Sequence, residues 1–216
     1  MENLDIFDEL FNPLNPASAS IDEVHKKGLW HQTFACWIVN PRQETVLFQL
    51  RGARNRIDPG SFDASSSGHL QAGESPADGF RELREELGIG IPIENRLSVG
   101  MFRNIAIRES YLNREFCHVF LAKSDKPLAE LKLQDGEVSG VFEVGIEDAI
   151  KLFAKRVSKV KAIGLMRRDN KYASSEKIMR IEDTCNWRER CEISNYYLKV
   201  LLACQDFLRE KQIIRI

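Results

Sequence analysis

The sequence predicts an α/β fold in which helices cover both faces of a mixed β-sheet. Short segments rich in β-branched and aromatic residues recur along the chain, and the first two long ones are spaced as a hairpin. One helix interrupts these strand pairs, and two further segments with helical spacing follow towards the C-terminus. Strand pairs interleaved with helices in this way indicate an α/β/α sandwich.

The predicted strands extend from the N-terminus to residue 142. Residues 4–7 form a short apolar strand, a loop around Pro13 and Pro16 follows, and residues 21–27 form a helical turn. A turn at residues 111–114 joins two long strands, the second of which is apolar enough to be buried on both faces. The strands after the helical turn are 34–39, 46–50, 61–67, 98–107, 115–122 and 138–142.

The C-terminal part of the chain combines two predicted helices with a basic segment. Residues 146–157 are amphipathic, and residues 197–209 should form a helix that packs on the sheet with Cys204 in the core. Residues 155–180 are rich in lysine and arginine. This segment is interpreted as a solvated surface or, alternatively, as a mobile flap that attracts an anionic substrate.

Length and composition indicate one domain over residues 1–216. We divide it into an N-terminal extension (1–30), a core (30–155) and a basic segment with a C-terminal helix (156–216). The net charge of −1 gives no electrostatic support for nucleic-acid binding. The longest apolar runs are shorter than the roughly 20 residues of a membrane helix, and the acidic N-terminus lacks a signal-peptide pattern.

Cysteine usage favours a reducing, cytoplasmic environment. The chain has five cysteines, an odd number, and they are scattered without a CxxC pattern. This distribution predicts neither a structural disulfide nor a zinc site. The cysteines are Cys36, Cys117, Cys185, Cys191 and Cys204.

The most informative stretch is 68–89, GHLQAGESPADGFRELREELGI, which begins as a loop and continues as a helix. Ser75 is a good N-cap, Pro76 suits the first helical position, and Asp78 completes a start resembling a capping box. Gly88 stands where a helix normally ends. We therefore expect a loop followed by a helix that begins at about residue 76.

The helix carries three carboxylates on one side. Glu82 lies three and four residues before Glu85 and Glu86, so the three side chains are helical neighbours. Clustered carboxylate oxygens suit Mg²⁺, which bridges protein carboxylates and substrate phosphates. The alternative is a solvated acidic face, but the preceding Gly68 and Gly73 permit tight turns beside the helix start and favour a site.

A basic loop precedes the motif. Arg51, Arg54 and Arg56 are predicted to bind substrate phosphates, since a guanidinium matches phosphate oxygens in bidentate geometry. The alternative interpretation is an ordinary solvated loop. For His25 and His31, a structural role and a functional role both stay open.

Gly68, Glu74 and the run from Arg81 to Ile89 resemble the Nudix box. Most Nudix boxes have seven residues between the first glutamate and the arginine, whereas this chain has six between Glu74 and Arg81. The resemblance extends over residues 1–150 towards the branch that includes isopentenyl-diphosphate isomerase. It implies the Nudix-like α/β/α sandwich with its loop-helix catalytic motif.

The resemblance also implies a reaction, namely Mg²⁺-dependent hydrolysis of a diphosphate linkage in a nucleoside diphosphate-X or similar small molecule, with Mn²⁺ as an alternative ion. The three helical glutamates would bind metal together with the carbonyl of Gly68, while Glu74 and Arg81 would support them. The general base varies within the family. The candidates are a box glutamate, Glu115 and Glu137, the last two of which have surface positions as the alternative.

Two other functions are weighed against hydrolysis. Isopentenyl-diphosphate isomerases use a cysteine before the box and a metal held by histidines and glutamates, and this chain retains His25, His31, His69 and Glu115. However, residues 63–67 contain no cysteine, and Asn113 stands where the isomerases have a second glutamate. A module that senses a nucleotide without catalysis is the third hypothesis, against which the full carboxylate set argues.

Aromatic residues and assembly leave further alternatives. Four aromatic residues are considered as stacking partners for a base, with core packing as the alternative. They are Trp30, Trp37, Phe102 and Tyr111. A homodimer is compatible with this fold, although no stretch of the chain demands it.

Overall fold

A computed structural model describes residues 2–108, 111–168, 171–186 and 195–210. The strands within these ranges are β1 Asn3–Phe7, β2 Pro13–Ser20, β3 Trp30–Asn40, β4 Thr45–Arg51, β5 Phe62–Asp63, β6 Ser66–His69, β7 Arg96–Arg108, β8 Tyr111–Lys123, β9 Val138–Gly145, β10 Val160–Arg168 and β11 Lys171–Met179. The α-helices there are α1 Ile21–Lys27, α2 Arg81–Leu87, α3 Ile146–Phe153 and α4 Tyr196–Leu208.

One sheet contains all eleven strands of the described ranges. Its main path runs β11-β10-β9-β4-β3-β1-β2, while β8 pairs with β3, β7 with β8, β6 with β3 and β5 with β4. The β3–β8 pair is parallel, and the pairs on either side of it are antiparallel. The sheet is therefore mixed, as the sequence predicts.

Strand β3 shows how the sheet separates two cores. Phe34 and Cys36 face one side, where Leu83 of α2 packs, whereas Trp37 faces the other side, where Tyr197 of α4 packs. Because successive strand residues point to opposite faces, the apolar run in β3 buries both faces at once. The α/β/α sandwich expected from the sequence is thus confirmed.

Two sequence predictions near turns are wrong. Residues 13–20, predicted as a loop, form β2, which pairs with β1 at an end of the sheet where prolines cost few ladder hydrogen bonds. Residues 111–114, predicted as a turn, belong to β8 and pair with β7. The connection between these strands falls at 109–110, outside the described residues.

Two predicted elements have different bounds in the structure. The strand expected at 61–67 is divided into β5 and β6 by Ser65, whose buried hydroxyl accepts from the Ile38 amide and donates to the Leu47 carbonyl. The helix expected at 146–157 ends at Phe153, and Lys155 has a φ of 57°, which is incompatible with helix continuation.

The basic segment forms a hairpin that the sequence did not reveal as strands. It consists of β10 and β11, and most side chains of β11 are exposed. Polar and charged residues on an end strand protect a sheet from pairing with other chains, and they also obscure the period-two pattern of a strand. No helix among the described residues is both long and apolar enough to cross a membrane.

Candidate functional site

A cavity of about 420 Å³ opens at the C-terminal side of β6 and above one face of β3 and β8. The motif helix and the loop after β4 both contribute lining residues. Most of its lining side chains are polar or charged. They include Glu82, Glu85, Glu86, Arg51, Arg54, Arg56, Glu115, Glu137, His25 and His69.

The motif starts with a tight turn and not with an α-helix. Asp78 accepts hydrogen bonds from the amide and hydroxyl of Ser75, and a 3₁₀ turn follows at Asp78–Phe80. The α-helix begins at Arg81, later than predicted, and ends at Gly88, where the expected left-handed cap has a φ of 65°. A 3₁₀ turn advances about 2.0 Å per residue against 1.5 Å in an α-helix, which lets a shorter linker reach Arg81.

Arg81 connects the loop to the helical carboxylates. Its Nε and Nη2 donate to the two carboxylate oxygens of Glu74 at 2.8 and 3.1 Å, and Nη2 also donates to the His69 carbonyl. Its Nη1 donates to Glu82 at 2.6 Å and to Glu85 at 3.3 Å. The guanidinium thus fixes the loop relative to two carboxylates, in spite of the shortened spacing.

The three helical carboxylates differ in their environments. Glu86 is only 7% exposed, and burial raises its pKa to about 8. Burial also raises the pKa of Glu82 to about 7, against the opposing effect of Arg81. The Glu85 side chain is 51% exposed. Two of the carboxylates therefore lie in surroundings that favour a nearby cation.

The backbone of Gly68 lies directly against this cluster. A Cβ atom at residue 68 would fall 2.2 Å from Oε1 of Glu82. On the same strand, the Ser67 amide donates to Glu86 at 3.2 Å. The carboxylates and the neighbouring main chain present the oxygen ligands that a hard divalent cation requires, so the residues fit Mg²⁺.

The three arginines of the loop after β4 pair with aspartates that differ in burial. Arg51 is paired with Asp63, which is 1% exposed, at 2.9 Å, and its Nε donates to the Ile57 carbonyl. Arg54 and Arg56 pair with exposed aspartates, Asp135 at 3.6 Å and Asp22 at 2.9 Å. The structure places all three predicted arginines at the cavity, whereas their partners could not be predicted from sequence patterns.

The two further carboxylates proposed as bases also line the cavity. Glu115 accepts a hydrogen bond of 2.6 Å from Nδ2 of Asn104, a buried residue of β7. The carbonyl of Glu137 accepts hydrogen bonds from the amide of Gly52 and from Nδ2 of Asn55. Asn104 was missed by sequence reasoning because its role depends on the β7–β8 register.

Three histidines meet beside Glu115. Their ligand nitrogens all lie within 4.8 Å of one another. Burial lowers the pKa of His25 to about 4, and burial also lowers the pKa of His31 and of His69. Nδ1 of His31 donates to the Leu29 carbonyl, so its buried Nε2 keeps a lone pair that has no partner among the described residues.

The remaining predictions have mixed outcomes. Among the four aromatic residues considered for stacking, only Tyr111 lines the cavity, and its ring stacks on His25 at 4.4 Å. Trp30 and Trp37 are buried. The cysteines Cys36, Cys117, Cys185 and Cys204 are buried, and Cys191 lies outside the described residues.

Known proteins provide an independent comparison. A family model described as the NUDIX domain matches residues 29–163. A protein of Clostridium acetobutylicum described as an uncharacterized Nudix hydrolase is 32% identical over 208 residues, covering 95% of this chain and 98% of that protein. Isopentenyl-diphosphate Delta-isomerase 1 of Photorhabdus laumondii is 30% identical over 152 residues, covering 68% of this chain and 82% of the isomerase.

A solved structure agrees with the fold. The crystal structure of DR0079 from Deinococcus radiodurans aligns with a TM-score of 0.56 at 20% identity, covering 71% of this chain and 90% of the other. The family match spans more than half of the chain, and the Clostridium protein matches it over almost its whole length. The chain therefore belongs to the Nudix family and is a Nudix-type hydrolase that acts on pyrophosphate bonds.

Proposed function

We propose that the chain is a Mg²⁺-dependent hydrolase that cleaves the diphosphate linkage of a nucleoside diphosphate-X or a similar small molecule, with Mn²⁺ as an alternative ion. One observation carries this proposal. The carboxylates of α2 and the arginines of the loop after β4 line the same cavity. Cation-binding oxygens and guanidinium groups in one cavity form a suitable site for a metal-bound diphosphate.

The chain's own residues have distinct proposed roles. Glu82, Glu85 and Glu86, with the carbonyl of Gly68, would hold the metal ion. A divalent ion bound there neutralises phosphate charge and lowers the pKa of a bound water. Arg81 holds two of these carboxylates in place through the contacts described above, which is a supporting role.

The arginines of the loop after β4 are proposed to orient the substrate. Arg54 and Arg56 are paired with exposed aspartates, and exposed ion pairs contribute about 1 kcal/mol or less. A diphosphate can therefore take over these guanidiniums at little cost. Arg51 is more firmly held by the buried Asp63, so it offers a fixed positive charge to the cavity.

The general base is proposed among a box glutamate, Glu115 and Glu137. The Asn104 contact gives Glu115 a fixed orientation, whereas Glu137 is held mainly through its backbone. Glu115→Gln and Glu137→Gln should be compared in kcat at saturating substrate and Mg²⁺. The variant that loses about 10²-fold or more in kcat at unchanged Mg²⁺ affinity identifies the base.

The decisive experiment is product analysis by mass spectrometry. Purified protein is incubated with Mg²⁺ and a panel of nucleoside diphosphate sugars, dinucleotide polyphosphates and isoprenoid diphosphates, with Glu86→Gln as the control. Cleavage between phosphates by the wild type alone supports the proposal and identifies the leaving group. Normal turnover by Glu86→Gln would remove the metal-ligand assignment.

A second candidate function is isomerisation of isopentenyl diphosphate. The cluster of His25, His31 and His69 favours it, since neutral imidazoles suit ions such as Zn²⁺ or Fe²⁺ better than Mg²⁺. Against it, residues 63–67 contain no cysteine, and Asn113 stands where the isomerases have a second glutamate. Conversion of isopentenyl diphosphate to dimethylallyl diphosphate, without loss of phosphate, would reverse the ranking.

We also propose the class of ligand, the oligomeric state and the cellular location. The partner is a small-molecule diphosphate, and neither nucleic acid nor a membrane is proposed as a ligand. A homodimer stays compatible with the fold. The five cysteines, odd in number and scattered without a CxxC pattern, support a reducing, cytoplasmic location.

A further inference from the structure

The N-terminal strand lies outside the range that the family model matches, yet it contacts the loop of the catalytic motif directly. The carbonyl of Asn3 accepts a hydrogen bond of 2.8 Å from the Ala72 amide. Oδ2 of Asp5 accepts one of 2.9 Å from the Gly73 amide. We propose that residues 2–7 brace this loop and that Asp5 is a positioning residue for hydrolysis.

The loop needs an external support because of its own composition. Gly73 has a φ of 85°, a conformation that glycine adopts freely, so the turn has little intrinsic rigidity. Within the loop, the Gln71 amide donates to Glu74 and the Glu74 amide donates to the Gln71 carbonyl. The amides of Ala72 and Gly73 instead donate to the N-terminal strand.

A displacement at Gly73 would be transmitted to the proposed metal site. The adjacent Glu74 holds Arg81 through two hydrogen bonds, and Arg81 holds Glu82 at 2.6 Å. Two charged contacts thus connect the braced turn with a metal-binding carboxylate. Groups that orient metal ligands in this way affect metal affinity without touching the ion.

The strand is itself firmly anchored. Ile6 and Phe7 pair with His31 and Trp30 of β3, and Leu4 is fully buried. The side chain of Asp5 lies on the other side of the strand from Leu4 and Ile6, as period-two alternation requires. A rigid sheet therefore provides the fixed reference against which the loop is held.

The variants that test this inference differ at one contact. Asp5→Ala removes the acceptor for Gly73, whereas Asp5→Asn keeps an oxygen that can accept the same hydrogen bond. Asp8→Ala is the matched control, since Asp8 caps the next turn by accepting from the amides of Leu10 and Asn12. The inference rests on the proposed hydrolysis at the carboxylate site.

Three measurements are made on each full-length variant, namely Mn²⁺ affinity by calorimetry, kcat against Mg²⁺ concentration, and hydrogen exchange at Gly73. Asp5→Ala should lose on the order of tenfold in metal affinity, the lower end of the range for groups that orient ligands, while Asp5→Asn should recover most of it. Gly73 exchange should accelerate in Asp5→Ala, and Tm should stay within about 4 °C of wild type, because water can replace this exposed hydrogen bond.

Two results would overturn the inference. One is an Asp5→Ala variant with wild-type Mn²⁺ affinity and a wild-type Mg²⁺ response, and the other is an equal loss in Asp8→Ala. If the wild type cleaves no diphosphate at all, the proposed function fails. The Mn²⁺ titration still decides the bracing role in that case, because it requires no turnover.

Discussion

The buried carboxyl of Glu86 makes the stability of the metal-free protein depend on pH. Burial raises its pKa from an ordinary value of 4.5 to about 8, so the folded protein keeps a proton that the unfolded chain releases. The free energy of unfolding therefore falls as the pH rises from 4.5 to 8. At about 1.36 kcal/mol per pH unit, the full interval corresponds to about 5 kcal/mol.

The buried histidines act in the opposite direction at lower pH. Burial lowers the pKa of His25 from 6.5 to about 4, so below pH 6.5 the unfolded chain binds a proton that the folded protein excludes. Their contribution to the free energy of unfolding thus rises with pH until about 6.5. Between pH 6.5 and the Glu86 pKa of about 8, Glu86 alone lowers the free energy of unfolding by about 2 kcal/mol. For a chain of this length, this loss corresponds to a fall in Tm of about 4–8 °C.

The assay is thermal unfolding in the presence of a chelator, from about pH 6.5 to about pH 8.5. Wild-type Tm should fall by at least the amount above, because Glu82 adds a smaller contribution of the same sign, and Glu86→Gln should retain only this Glu82 contribution, less than half of the total fall. Glu85→Gln is the matched control and should keep the wild-type profile, because the Glu85 side chain is half exposed.

Adding Mn²⁺ extends the same experiment. Metal binding requires deprotonated carboxylates, so it should stabilise the wild type more at about pH 8.5 than at about pH 6.5. Glu86→Gln should lose most of this stabilisation. The reasoning is refuted if wild-type Tm stays level or rises over this range without metal, or if Glu86→Gln keeps the wild-type slope.

Two glycine substitutions separate activity from stability. Gly68→Ala should lower kcat by on the order of tenfold or more with little change in Tm, because its Cβ would displace the flexible Glu82 carboxylate; normal turnover would contradict this. Gly79→Ala should destabilise the fold by about 1–3 kcal/mol in urea unfolding, since its Cβ would lie 2.4 Å from the Phe34 ring. Gly90→Ala, with its nearest atom at 3.8 Å, should change stability by less than about 0.5 kcal/mol.

Local sequence signals predicted the central part of the fold well. The β-branched and aromatic run at 34–39 predicted a buried strand, and Gly88 predicted the end of the motif helix. Each of these signals depends only on residues within one element. The start of α2 was predicted too early for the same reason, because a capped 3₁₀ turn has the same local sequence as a helix N-terminus.

The partners of the site residues could not be predicted in this way. Arg51 and Asp63 are brought together by the pairing of β4 with β5, and Asn104 meets Glu115 through the register of β7 and β8. A shift of one residue in either register would turn these side chains to opposite faces. Sequence patterns identify a strand, but they do not fix its register against a distant partner.

The difference between local contacts and contacts across distant strands also applies to the proposed roles of the site residues. The carboxylates proposed to bind metal and Arg81 lie within one loop and helix, so their geometry is set by local structure and follows from the motif. The arginines of the loop after β4 instead pair with residues far away in the chain, Arg56 with Asp22 and Arg54 with Asp135. Substitutions in those segments would therefore change how a substrate is oriented without altering the carboxylates.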